Sequence, residues 1–113
     1  MVAAAYIPNR GDVVWLNFSP QKGHEQAGVR PALVMSPRAY NAKSGLMLAC
    51  PITSKVKGYP FEVRIHTKKI NGAILADQLK SLDWQQRKAS FVEQAPDSEL
   101  GQAQALIEAL ISA

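Results

Sequence analysis

The sequence has little of what most metal sites and covalent catalysts require. One cysteine, Cys50, and two histidines, His24 and His66, stand far apart in 113 residues. A lone Cys excludes an intrachain disulfide, and neither it nor the two His falls at metal-ligand spacing. No apolar run approaches the roughly 20 residues that a membrane-spanning helix needs. The start, MVAAAYIPNRGD, has neither the basic n-region nor the long apolar h-region of a secretory signal, so the expected compartment is the cytoplasm. There is no Walker loop, GxSxG elbow or dinucleotide fingerprint. No repeat or low-complexity tract divides the chain, and its length fits one domain.

Positive charge is also missing from one end. Residues 1–88 carry all 13 Lys and Arg against five acids, leaving +8. Residues 89–113 carry four acids and no base, leaving −4. A basic body points to a polyanionic or acidic partner, nucleic acid or protein, with simple solubility as the alternative.

Short runs rich in β-forming residues make up most of the chain. Strands are expected at Asp12–Phe18, Pro31–Ser36, Leu46–Thr53, Phe61–Ile65, Ala73–Asp77 and Lys88–Val92. Gly11, Ser19-Pro20, Gly28, Ser44-Gly45, Gly58 and Asn71-Gly72 punctuate them. In the first strand Val13, Trp15 and Asn17 face one way and Val14, Leu16 and Phe18 the other. Both faces are largely apolar, which predicts cover on both sides, by the core and by a partner subunit. Then the period changes. Pro96-Asp97-Ser98-Glu99 reads as a helix start, and Leu100, Ala103, Ile107, Leu110 and Ile111 form one apolar stripe. The expected fold is mainly β with a C-terminal α-helix, a sheet over about 12–93 and a helix over about 96–112.

Three polar sets sit at the predicted strand edges. The first is KGHEQAGVRP, residues 22–31, where Gly23 and Gly28 give a long loop its freedom and Arg30-Pro31 opens a strand. His24 and Glu25 are each either plain loop residues or proton-transfer groups. Arg30 offers a rigid donor fork suited to phosphate. Next comes Pro51-Ile52-Thr53-Ser54-Lys55, where the hydroxyls emerge from a strand toward a ligand or merely form a turn. The third is Asp77-Gln78 with Lys80. Cys50 reads as a small core residue, and Trp15 and Phe18 as packing residues. A half-open barrel would bring all three sets to one face.

Taken in order, GDVVWLNF, KGHEQAGVRPALVMSP, PITS, KGYPFEV and ADQLKS closely resemble the MazF/PemK family of bacterial toxin endoribonucleases, from about Tyr6 to Trp84. The resemblance implies an SH3-like barrel of the CcdB/PemK toxin type in a single domain spanning 1–113. It also implies a homodimer and metal-independent cleavage of single-stranded RNA, chiefly messenger RNA, at short sequences. No cofactor and no metal are implied. The expected inhibitor is a cognate acidic antitoxin of the MazE kind, and no membrane partner is expected.

By that resemblance Arg30 and Thr53 match the main catalytic positions, and Glu25 the acidic residue of the same loop. His24 and Asp77 match a His and an Asp that the PemK-like branch is thought to use. The chain departs from its relatives at Val29, where some have His, and at Leu75, where the PemK-like branch has Arg. It departs again at Asn17 and Ser19, which are acidic in close relatives. These changes leave open whether Glu25 or His24 moves the proton. Lys22, Ser54, Lys55, Lys57 and Lys80 are expected to line the RNA path, with Asn17, Gln26 and Gln78 reaching base edges. The alternatives are a gyrase-poisoning toxin of the same fold and a non-catalytic SH3-like module that grips RNA or peptide.

Overall fold

The computed structural model describes residues 5–18 and 28–112. Lys22, His24, Glu25 and Gln26 therefore lie outside the described residues. In chain order the elements are β1 (Asp12–Asn17), β2 (Val29–Val34), α1 (Arg38–Ser44), β3 (Leu46–Thr53), β4 (Glu62–His66), β5 (Asn71–Leu75), a 3₁₀ turn (Ala76–Gln78), β6 (Lys80–Asp83), β7 (Ser90–Gln94) and α2 (Asp97–Ser112). The strands are antiparallel in the order β4-β5-β3-β2-β1-β7, with β6 added on β3.

The longest strand, β3, is where the sheet divides. Met35 N–H donates to the Leu48 carbonyl at 2.8 Å, so the even-numbered residues of β3 turn their backbone groups toward β2. Its odd-numbered residues face two different partners: Leu46–Ala49 pair with β6, and Ile52 and Thr53 pair with β5. Pro51 falls in the gap between those partners. There its missing N–H costs no ladder bond, which explains how a central strand holds a proline. The division curls the sheet into a half-barrel and leaves Thr53 at its corner.

Strand β1 shows how the two-faced pattern is used. Val13 enters a cluster with Leu33, Cys50, Ile65 and Ile74, capped by Ala103 of α2. Val14, Leu16 and Phe18 enter a second cluster with Val34, Met47 and Trp84. The apolar face expected to meet a partner subunit is covered within the chain. Trp15, expected to pack, is instead 42% exposed, and Asn17 beyond it is exposed. On α2, Leu100, Leu106 and Ile107 pack on the first cluster while Leu110 and Ile111 stay exposed, so the apolar stripe is used only in its first turns.

Three elements were not anticipated: α1, β6 and the 3₁₀ turn over Ala76–Gln78, which ends early the strand expected over Ala73–Asp77. Helix α1 is seven residues long, with no side-chain cap at Pro37, and is marginal by itself. Buried Asn41 fixes it: its Nδ2 donates to the Pro8 carbonyl at 2.8 Å and the Ser36 carbonyl at 3.1 Å, and its Oδ1 accepts from Ser36 Oγ at 2.6 Å. Trp84 Nε1 donates to the Asn41 carbonyl at 3.0 Å. Asn41→Ala would orphan several buried polar groups at once, so a loss of about 2–4 kcal/mol in a urea melt is expected. Strand β6 is short and half polar, and is held by β3. Asn71-Gly72, taken as a turn, lies inside β5; the chain turns earlier, where Thr67 N–H donates to the Ile70 carbonyl at 2.7 Å. The last strand runs Ser90–Gln94 rather than Lys88–Val92, because Lys88 takes a positive φ of 57° in the preceding turn.

Burial pushes the Cys50 thiol up from its ordinary 9.0 to about 12, with the negative charge of Asp77 adding to the shift. The Tyr6 phenol is raised as well, chiefly by burial and then by its hydrogen bond to Asp12. Both groups resist ionising in the fold but ionise freely once unfolded. The Cys50 contribution is complete below about pH 9 and falls by about 1.4 kcal/mol per pH unit from there to about 12, while Tyr6 adds to the decline only above its ordinary 10.0. Alkaline melts should show this decline, and Cys50→Ala should flatten it.

Candidate active site

Arg30 lies near the start of β2, opposite Leu16 on β1, and is exposed. It stands two residues after Gly28, whose φ of +77° ends the loop and whose carbonyl accepts from Phe18 N–H at 2.8 Å. That bond closes the base of the connection between β1 and β2. Thr53 stands at the other end of the site, as the last residue of β3. Its Oγ1 accepts from the Lys55 N–H at 3.1 Å, which leaves its own hydroxyl proton to donate.

The position of Thr53 depends on Gly72. A Cβ on Gly72 would lie 2.1 Å from the Thr53 carbonyl oxygen and 3.0 Å from its carbon. Only a glycine lets β5 come this close to the corner of β3.

Two cavities meet at Thr53. One, of about 340 Å³, is lined by Trp15, Arg30, Pro31, Thr53, Ser54, Lys69 and Asn71, among others. The other, of about 380 Å³, is lined by Thr53, Lys55, Lys57, Tyr59, Phe61, Glu62, Leu75, Asp77 and Gln78. The structure thus joins the second and third polar sets around one cavity and Arg30 with Thr53 around the other. Asn17 and Lys80 line neither: Asn17 ends β1 beside the loop stem, and Lys80 pairs with Ala49 on β6. Lys69 and Asn71 were overlooked because their segment reads as punctuation. Tyr59, Phe61 and Glu62 sit in a stretch that looks like plain strand and turn. Among the described residues no group of three or more His, Cys, Asp or Glu could hold a metal ion.

Chemically, the junction offers a fixed cation, a hydroxyl donor and flanking lysines to a phosphate, with grooves on both sides for what the phosphate joins. No helix among the described residues is long and apolar enough to cross a membrane.

The chain is thus a small half-barrel closed by its C-terminal helix, with a cationic cleft at the end of its longest strand. The chain belongs to the family of PemK-like, MazF-like toxins of type II toxin–antitoxin systems, whose family model matches residues 9–111. It is 44% identical over 110 residues to the endoribonuclease toxin MazF of Escherichia coli (strain K12), covering 97% of this chain and 99% of that one. The crystal structure of MazF from Deinococcus radiodurans superposes with a TM-score of 0.92 at 49% identity, over 96% of this chain and all of that one. A crystal structure of MazE-MazF from the same organism gives 0.87 at 50% identity, over 96% of this chain and 98% of that one.

Proposed function

We propose that this endoribonuclease toxin cleaves single-stranded RNA, chiefly messenger RNA, at short sequences by attack of the substrate's own 2′-hydroxyl on the adjacent phosphorus. The products are a 2′,3′-cyclic phosphate and a 5′-hydroxyl end, and no metal takes part. The consequence in the cell is inhibited translation and arrested growth. The observation that carries this reading is the place of Thr53, which lines both cavities with Arg30 in one and Lys55, Lys57, Asp77 and Gln78 in the other.

In-line attack needs a base for the 2′-OH, stabilisation of the phosphorane and an acid for the 5′ oxygen. Arg30 suits the second task, since its guanidinium stays protonated and binds two phosphate oxygens at once. The Thr53 hydroxyl donates to a non-bridging oxygen. Glu25 or His24, in the loop whose base is closed by Phe18 and Gly28, moves the proton, with Asp77 across the corner as a further carboxylate. Lys22, Lys55, Lys57 and Lys80 hold the backbone, while Ser54, Asn17, Gln26 and Gln78 meet sugar and base edges.

The same cationic path suits an acidic antitoxin tail, so antitoxin and RNA compete for it, and the working form is a homodimer in the cytoplasm. The +8 body supports the antitoxin part of this reading, as does the crystal structure of MazE-MazF from Deinococcus radiodurans. Affinity should fall with salt, with log K dropping by about 0.7 per unit of log salt for each phosphate neutralised, and Lys55→Ala should remove about one such step. The reading is tested by incubating purified protein with a long single-stranded RNA in EDTA. Fragmentation is expected; intact RNA, or equal cutting by Arg30→Ala, would sink it.

A further inference from the structure

Strands β4 and β7 stand at the two ends of the sheet and are not ladder neighbours. Side chains tie them instead, through the turn that follows β4. Thr67 Oγ1 donates to Glu93 Oε2 on β7 and accepts from the Lys69 N–H at 3.2 Å and the Ile70 N–H at 3.0 Å. Lys69 Nζ donates to the Val92 carbonyl at 3.2 Å. Val92 is the extra residue of a β-bulge: Val13 pairs with Glu93 and Val14 with Phe91, so the register with β1 skips it. Bulges re-aim groups beside functional sites. The turn so fixed brings Lys69 and Asn71 to the wall of the cavity that Arg30 and Thr53 share. It then runs into Gly72, which lies against the Thr53 carbonyl.

Resting on the ribonuclease reading, we propose that Lys69 is a further RNA-binding residue, holding a backbone phosphate next to the scissile one, and that Thr67 and Glu93 are positioning residues that aim it. An ammonium has three donors; the Val92 carbonyl takes one, which leaves two for a phosphate. Lys69 is held before RNA arrives, so little of its side-chain freedom is left to lose on binding. It comes to the cavity from the β5 side of β3, whereas Arg30 comes from β2 on the other side. The two cations thus meet successive phosphates. A neighbouring phosphate carries the same charge before and during the reaction. Lys69 therefore sets affinity and leaves kcat alone, unlike Arg30.

The test uses a labelled 2′-O-methyl RNA oligomer, which binds but lacks the nucleophile, read by fluorescence anisotropy on the full chain across a salt series. Lys69→Ala should weaken binding about 3- to 20-fold and lower the salt slope by about 0.7, with kcat on all-ribose RNA within about twofold. Lys68→Ala removes the same charge one residue away, outside both cavities, and should leave the slope unchanged. Glu93→Ala should weaken binding in the wild-type background and add nothing to Lys69→Ala. Glu93→Gln drops the charge but keeps an acceptor for Thr67, and should bind as wild type does. Lys69→Ala matching Lys68→Ala overturns the phosphate contact. Equal losses from Glu93→Ala in both backgrounds overturn the positioning role. A lowered slope in a protein that leaves RNA uncut in EDTA keeps the contact and removes the nuclease reading. Cutting with the slope unchanged does the reverse.

Discussion

An Arg30→Ala protein should cleave RNA at least about 10²–10³-fold more slowly than wild type, and Thr53→Val should fall by a similar factor. On the proposed mechanism both substitutions remove a preorganised donor to charge that develops only as the phosphorane forms. Each should therefore act on kcat more than on KM. Neither substitution should cost more than about 1 kcal/mol in folding, the Thr53→Val change losing the bond that Thr53 Oγ1 accepts from the Lys55 N–H. Arg30 is exposed, and Thr53 is held by backbone pairing with Ala73, which Val preserves. The loss should thus appear without a matching fall in melting temperature. Arg30→Lys should recover only part of the rate, because an ammonium cannot replace the planar two-point grip. A rapid-quench time course in EDTA with matched circular-dichroism melts separates these outcomes. A variant that cuts within a few-fold of wild type would remove that residue from the chemistry.

Gly72→Ala should be the most damaging small substitution in the chain. The added methyl would meet the backbone of Thr53 at 2.1 Å, and a backbone cannot swing aside as a side chain does. Strand β5 must then draw back from the corner of β3, breaking the pairing of Ile52 with Ile74 and of Thr53 with Ala73. A cost of about 3 kcal/mol or more is expected, lowering the melting midpoint by about 10–20 °C. Activity should fall even well below that midpoint, since the retreat displaces Thr53. A midpoint within about 2 °C of wild type would show that the corner yields more readily than its geometry implies.

How far the sequence could be read depended on whether a segment's order is local. Strand β3 was legible residue for residue, because LMLACPIT is apolar and bounded by Gly45 and the polar Ser54-Lys55. Helix α2 was equally clear, with Pro96 and two acids marking its start. Helix α1 was invisible, since RAYNAKS has no apolar stripe and its order comes from Asn41 reaching Pro8, Ser36 and Trp84. Asn71-Gly72 misled for a related reason. Its glycine serves a close approach to Thr53 rather than a turn, and nothing within β5 reveals the strand it meets.

The site divides along the same line. Arg30, Thr53, Asp77 and Gln78, which line the two cavities, are legible because polar residues at strand edges stand out against apolar runs. Lys69 and Asn71 enter through the cavity they share with Arg30, and Tyr59 and Phe61 through the one they share with Asp77 and Gln78. Trp15 was misjudged because an aromatic in a β run usually packs, whereas here it lines the cavity beside Arg30.

On the proposed mechanism the RNA supplies its own nucleophile at the Arg30–Thr53 junction. That step is tested most directly with two RNA oligomers of one cleavable sequence, identical except for a 2′-deoxy sugar on the 5′ side of the scissile bond. Their products after incubation in EDTA can be weighed by mass spectrometry. The all-ribose oligomer should give a 2′,3′-cyclic phosphate and a 5′-hydroxyl end, and the deoxy oligomer should stay whole. Cleavage of the deoxy oligomer, or a 5′-phosphate on the product, would contradict the mechanism.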